Sequence, residues 1–107
     1  MAYDEDLADR VREVVLIDAE VTERKMFGGL AFLLDGHMFV GIVGSELMVR
    51  LGSQAAQRAL ELDHVREMDF TGKPMRGYVF VDPDGTTDPA DVAFWVDQAV
   101  TNVETLG

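Results

Sequence analysis

The chain contains no cysteine, few basic residues and no long apolar run. Without cysteine, disulfides and thiolate metal sites are excluded, and 107 residues are enough to build a core without them. No apolar stretch approaches the ~20 residues that a membrane-spanning helix needs. Residues 1–15 are acidic and lack the basic and apolar segments of a signal peptide. We therefore expect one cytoplasmic domain over residues 1–107.

The shortage of basic residues makes the protein strongly acidic. Nine Lys and Arg stand against twenty Asp and Glu, which gives a formal net charge of −11. Residues 1–23 and 77–107 each carry −6, whereas residues 24–76 carry +1. A negative surface of this size repels phosphate backbones and anionic membranes. Direct binding to nucleic acid or membrane is therefore not expected, and the acidic ends are interpreted as solvated helix surfaces.

Apolar residues at helical spacing predict three helices. The first runs from about residue 4 to 19, with acids in its first turn, where they suit the helix dipole. Ser53 is predicted to cap a short alanine-rich helix. The last helix is predicted to begin at Asp88-Pro89, because a capping residue followed by proline is a common start. The residues of the last helix expected to face the core are Val92, Trp95, Val96, Ala99 and Val103.

The middle of the chain predicts strands joined by tight turns. Asp35-Gly36 and Gly44-Ser45 are two-residue hairpin signals. Turns at these points place Phe32 opposite Phe39 and Leu30 opposite Gly41. VREMDF and MRGYVFV, separated by TGKP, predict two more strands. The expected fold is α+β, in the order helix, three strands, helix, two strands, helix, with the helices packed on an antiparallel sheet of about five strands.

This register divides the first three strands into two faces. The face expected to form the core is apolar throughout: Gly29, Ala31, Leu33, Met38, Val40, Ile42, Leu47, Val49 and Leu51. The other face is mixed, and its apolar members form a candidate interaction face: Leu30, Phe32, Leu34, Phe39, Val43 and Met48. The alternative is that the last helix, carrying Phe94 and Trp95, folds over this second face and buries it.

A glycine pair and several basic residues form a second candidate site. Glycines before a strand permit a bulge or close backbone approach, and they can leave free amides for an anion. The candidate anion or partner patch comprises Arg24, Lys25, Gly28, Gly29, Arg50 and Arg76. We expect Arg24, Arg50 and Arg76 to converge, because each lies near a strand end. The alternative is that the bases of the middle segment pair with the acidic helices.

The order of these pieces is similar to that of a known family. RKMFGGLAFLLDGHMFVGIVGSELMVRLG, then MDFTGKPMRGYVFV, then an aromatic-bearing last helix resembles the TfoX (Sxy) N-terminal domain from about Val21 to Val103. The most specific pieces are R-x-MFGG and LMVR. The resemblance implies a regulator of natural competence genes that acts with a cyclic-AMP receptor protein at promoters. The resemblance also implies that the named members of the family have a second, C-terminal domain. It assigns no catalytic residue to this chain, because none is established in the family.

Catalytic and metal-binding patterns are weak. EMDFTGKP fails as a P-loop, because Glu67 replaces the first glycine and Pro74 replaces the magnesium-binding hydroxyl residue. His37 and His64 have neither cysteines nor H-E-x-x-H spacing, so we expect no zinc site. No cofactor is expected. The sequence favours a non-catalytic regulatory domain that binds a protein partner or a second copy of itself as a homodimer; the alternative is a small-molecule or anion-binding domain with possible enzymatic activity.

The isolated protein should not bind duplex DNA tightly, because its net charge is −11 and its sequence has no extended stripe of basic residues. In a gel-shift assay at physiological salt, we expect dissociation constants weaker than about 10 µM, with no dependence on duplex length. A basic DNA-binding protein serves as the positive control. Submicromolar binding that strengthens with duplex length would contradict the prediction.

Overall fold

The structure is a computed structural model that describes residues 3–15, 21–26, 28–34, 36–70 and 73–106, and within these ranges it leaves out the side chains of residues 26, 68–70, 73–76, 105 and 106. The helices are α1 (Glu5–Val15), α2 (Ser53–Ala59) and α3 (Pro89–Leu106), with a short 3-10 helix at Pro83–Gly85. The strands are β1 (Val21–Met26), β2 (Gly29–Leu34), β3 (His37–Val43), β4 (Glu46–Arg50), β5 (Val65–Phe70) and β6 (Lys73–Val81).

The six strands form one sheet in the order β1-β2-β3-β4-β6-β5, in which every neighbouring pair is antiparallel. The predicted α+β class is therefore confirmed, with one more strand than expected. The additional strand is β1, whose sequence VTERKM alternates poorly between apolar and polar residues. It lies at the edge of the sheet, where charged side chains are tolerated and discourage pairing with other chains. For that reason its sequence gives a weak strand signal.

Capping side chains define two of the helix starts. Asp4 Oδ1 accepts a hydrogen bond from the Asp6 backbone N–H at 2.9 Å, before α1. Asp88 Oδ1 accepts one from the Ala90 N–H at 2.9 Å, so the predicted start of α3 is confirmed. The predicted cap of α2 is wrong: Gly52 holds the N-cap position without a side-chain hydrogen bond, and Ser53 is the first helical residue. Part of the predicted first helix, residues 16–19, falls outside the described residues.

A β-bulge in β3 changes the register of the β2–β3 hairpin. Leu34 pairs with His37 as predicted, but Phe32 pairs with Val40 because Phe39 is an extra residue on β3. Because the pairing shifts by one residue, Phe32 lies on the same face as Val40, whereas the prediction placed these two residues on opposite faces. The predicted β2–β3 pairs beyond the bulge are therefore wrong, whereas the β3–β4 pair of Val40 with Val49 is confirmed. Asp35, in the predicted turn, is outside the described residues.

All three helices pack on one face of the sheet. Residues of α1, α2 and α3 share a single buried cluster with alternate residues of β2, β3, β4 and β6. Four members of the candidate interaction face belong to this core, with exposed fractions of 0–6%: Leu30, Phe32, Leu34 and Phe39. Their assignment to the opposite face was wrong, since the prediction lacked the bulge. Phe39 and Val40, consecutive in β3, both enter the core, as the two residues of a bulge can.

The glycine pair has two structural roles at the β1–β2 turn. Gly28 lies in the turn with φ +72°, in the left-handed region that L-residues with a Cβ rarely adopt. Gly29 is the first residue of β2 and pairs with Met26. A Cβ added at Gly29 would overlap the carbonyl oxygen of Ile42, in the neighbouring strand. The pair thus permits both a sharp turn and a close approach of β2 to β3.

Substitutions should separate these two roles. Gly29→Val should lower the free energy of unfolding by about 3 kcal/mol or more, because the new Cβ meets backbone rather than a movable side chain. Gly28→Val should cost about 1–2 kcal/mol through its backbone conformation, and Gly28→Asn less, since Asn tolerates that conformation better. Urea denaturation measures these changes, with Thr22→Val on the exposed edge strand as control. Wild-type stability in both valine variants would contradict this account.

Candidate functional site

The sheet face away from the helices, called here the back face, carries a second and smaller apolar cluster. Its centre is Met48 on β4 and Phe80 on β6, which are 1% and 5% exposed. Met38, Val43 and Tyr78 pack around this centre and are partly exposed. No helix of the described part of the chain contributes to this cluster. The back face is therefore the side of the sheet with the least cover from other elements.

One row of paired residues crosses the back face through all six strands. From edge to edge the pairing runs through Arg24, Ala31, Gly41, Met48, Phe80 and Arg66. Residues directly opposite each other on antiparallel strands project to the same face. An arginine thus stands at each edge, with small and apolar residues between. Gly41 makes room for its neighbour, since a Cβ there would lie 2.8 Å from Met48 Cε.

Two arginines of the back face are held by aromatic rings. The Arg66 guanidinium lies 4.6 Å from the Phe80 ring centroid, and its Nε donates to Glu46 Oε2 at 2.8 Å. Its Nη2 donates to the other Glu46 oxygen, so the pair is bidentate. The Arg50 guanidinium lies 5.7 Å from the Tyr78 ring centroid and donates to the Met38 carbonyl at 3.4 Å. These contacts give the apolar centre a polar rim.

The structure redistributes the residues of the candidate interaction face. Val43 and Met48 lie on the back face, whereas Leu30, Phe32, Leu34 and Phe39 are core. Conversely, Met38, which was expected in the core, lies on the back face. Sequence reasoning missed Tyr78 and Phe80. Their alternation with Val79 and Val81 indicates a strand with two apolar faces. Tyr78 and Phe80 come to lie beside Met48 only because β6 pairs with β4, which is not its neighbour in the sequence.

The candidate anion patch is not brought together among its described members. Arg24 and Lys25 are consecutive in β1, so their side chains leave opposite faces of the sheet. Arg24 lies three strands from Arg50, about 14 Å at the usual strand spacing. Gly28 is exposed in its turn, and Gly29 is buried in the sheet. The side chain of Arg76, the third member of the expected convergence, lies outside the described residues.

The observed ion pairs do not support the alternative interpretation, in which basic residues of the middle segment pair with the acidic helices. Arg12 of α1 donates to both oxygens of Glu23 on β1, each at 2.9 Å, and to Asp9. The bond to Glu23 raises the pKa of Arg12 above its usual value. Because these side chains are more than a third exposed, the pair contributes at most about 1 kcal/mol. Arg66, from the middle segment, pairs with Glu46 of the sheet rather than with a helix.

A hollow of about 240 Å³ lies between α2 and α3 on the helix side. Its rim includes Leu62 and Phe94, which are 48% and 47% exposed, and Arg58 borders it. Its volume is below the ~300–1,000 Å³ of ordinary ligand pockets.

Trp95 packs into the main core against the helix-side face, so α3 does not fold over the back face. The alternative that the last helix buries the predicted mixed face is therefore confirmed for Leu30, Phe32, Leu34 and Phe39, but not for Val43 and Met48.

One group of described residues has metal-ligand chemistry. His64, Asp82 and Asp84 each offer a ligand atom, and these atoms lie within 4.8 Å of one another. The three residues lie at the open end of the β5–β6 hairpin, where His64 and Asp82 are each two residues along the chain from the Arg66–Phe80 pair of the row that crosses the back face. His37, the other histidine, is exposed at the start of β3 and belongs to no such group among the residues that the structure describes.

Two comparisons with known proteins bear on the identity of the chain. No helix in the described ranges is long and apolar enough to cross a bilayer. A comparison with curated proteins finds no match. A comparison with protein families matches residues 17–103 to the TfoX N-terminal domain, and those residues include every strand of the sheet, α2 and nearly all of α3. The chain therefore belongs to the TfoX N-terminal domain family.

Proposed function

We propose that this domain is a non-catalytic, regulatory protein-interaction module of the TfoX type, and that its back face binds a second copy of the chain. The observation that carries the proposal is the distribution of layers. All three helices pack on one face of the sheet, and the opposite face presents an apolar centre with a polar rim. Such a centre and rim are the usual anatomy of a protein interface.

The partly exposed apolar residues would supply the contact area. Met38, Val43 and Tyr78 lie around the nearly buried Met48–Phe80 centre, and Leu33 pairs with Met38 on the same face. Methionine adapts its shape to a partner at low cost, and tyrosine contributes a large amphipathic surface. Ala31 and Gly41 lie beside this cluster and are themselves buried, and Met48 occupies the space above Gly41, so the centre of the contact is already packed within one chain.

Charge favours the back face over the helix side for self-association. The exposed acids of α1 and α3 outnumber the two arginines of those helices: Glu5, Asp6, Asp9, Glu13, Asp91, Asp97 and Glu104. Two copies that met through their helices would bring these acids together. The back face instead carries Arg24, Arg50 and Arg66 against Glu46. Contact between back faces keeps the two acidic layers apart, with two sheets about 10 Å apart between them.

A regulatory role would then operate through protein contacts rather than through contact with DNA. The strongly negative net charge opposes direct binding to a phosphate backbone. Arg50 and Arg66 of the back face are engaged with aromatic rings, a carbonyl and Glu46, which is an arrangement for shape and orientation rather than for a reaction. This supports binding over catalysis as the task of the domain.

The test is the oligomeric state of a variant with a charge inside the proposed contact. Val43 is partly exposed, so Val43→Arg should leave the monomer folded. We expect the wild type to be a dimer and Val43→Arg to weaken dimerisation at least about tenfold, which corresponds to about 1.4 kcal/mol. Light scattering across a concentration series measures this change, and circular dichroism confirms the fold.

Gln57→Arg is the matched control, because it adds the same charge at an exposed position of α2. It should leave the dimer intact. A wild type that remains monomeric at about 100 µM would overturn self-association, because a specific dimer would be assembled at that concentration. Phe39→Arg should instead unfold the protein, since Phe39 is fully buried in the helix-side core. A folded Phe39→Arg variant would contradict the assigned register.

A further inference from the structure

We propose that His64, Asp82 and Asp84 form a binding site for a divalent transition-metal cation of the Zn²⁺ type. The proposal is independent of the interaction role of the back face. One imidazole nitrogen and two carboxylate oxygens are offered within 4.8 Å of one another. A mixed nitrogen and oxygen donor set suits Zn²⁺ and its neighbours, whereas Ca²⁺ and Mg²⁺ prefer oxygen alone.

Strand pairing brings the three residues together from separate parts of the sequence. Val65 pairs with Val81 at the end of the β5–β6 hairpin, so the preceding His64 lies beside the following Asp82. The Asp82 backbone N–H donates to the His64 carbonyl at 2.8 Å and extends this pairing by one residue. The chain then enters the 3-10 helix at Pro83–Gly85, which turns Asp84 back toward Asp82.

The backbone that carries these donors is tightly constrained. His64 is held with φ +70°, and Gly85 packs so closely that an added Cβ would lie 2.9 Å from His64 Cβ. The same Cβ would lie 2.6 Å from Val81 Cγ1. Asp82 Oδ1 also accepts the Asp84 backbone N–H at 3.1 Å. The ligand-bearing segments are therefore fixed relative to each other before any cation arrives, which lowers the entropic cost of binding.

The donor spacing is close to that of a tetrahedral site. Ligands about 2.0–2.2 Å from Zn²⁺ lie roughly 3.3–3.6 Å from one another in a tetrahedron. The distance from His64 Nδ1 to Asp82 Oδ1 is 3.2 Å, so these two atoms need almost no movement. The carboxylate of exposed Asp84 can complete the set by rotation about its side-chain bonds.

Charge and exposure define the kind of site. Two carboxylates balance the charge of a divalent cation, and the cation removes the repulsion between Asp82 and Asp84. The side chains of His64 and Asp82 are 44% and 41% exposed, so the remaining coordination position faces solvent. Three protein ligands with one open position form a known zinc arrangement. The competing explanation of the cluster is a simple His64–Asp82 ion pair.

The experiment titrates untagged, metal-free protein with Zn²⁺ by calorimetry, with Mg²⁺ and Ca²⁺ in parallel. We expect saturable one-to-one Zn²⁺ binding with a dissociation constant below about 100 µM and no comparable binding of Mg²⁺ or Ca²⁺. His64→Asn should weaken Zn²⁺ binding at least tenfold, because Asn removes the imidazole yet tolerates the left-handed backbone. Asp84→Asn should weaken it similarly. His37→Asn, which removes the other histidine, is the matched control and should bind as the wild type does.

Thermal unfolding gives a second readout that depends on the folded site. Zn²⁺ should raise the melting temperature of the wild type and of His37→Asn, but not of His64→Asn, since only a ligand of the folded state stabilises it. An unchanged Zn²⁺ affinity in His64→Asn, a loss of affinity in His37→Asn, or no saturable Zn²⁺ binding by the wild type would each overturn the proposal. In the last case the cluster is only an ion pair.

Discussion

The bulge at Phe39 is the constraint on which the arrangement of layers depends. By inserting one extra residue into β3, it directs Leu30, Phe32 and Leu34 toward the helices. These large side chains join the buried cluster that all three helices share with the sheet, which the smaller Gly29 and Ala31 could not fill. The same shift leaves Gly29, Ala31 and Leu33 on the back face of β2. The face of β2 that enters the helix-side core therefore depends on a single bulge residue.

Features set by local chemistry could be predicted from the sequence. The Asp88-Pro89 start of α3 and the reversal at Gly44-Ser45 follow from capping and turn preferences of a few adjacent residues. The bulge could not be predicted, because Phe39 and Val40 are both apolar and either can face a core. Strand β1 was missed for the opposite reason: an edge strand needs no apolar alternation.

The sites show the same division between local and non-local information. Met48 and Val43 were placed correctly because the β3–β4 turn fixes their register over a short distance. Tyr78, Phe80 and Arg66 join them only through the pairing of β6 with β4, across a segment that contains α2 and β5. His64 and Asp82 likewise meet through non-local pairing. In each case the residue types were visible in the sequence, but their neighbours were decided by strand order.

The character of the two edge strands limits the assemblies that this sheet can form. Edge strand β1 presents Thr22, Glu23, Arg24 and Lys25, all exposed, and edge strand β5 presents Arg66 and Glu67. Charged edges oppose the continuation of the sheet from one molecule into the next. Face-to-face contact of identical surfaces is isologous and is satisfied by two molecules, whereas pairing of β1 of one molecule with β5 of the next would propagate. The polar edges thus favour a closed assembly over a fibre.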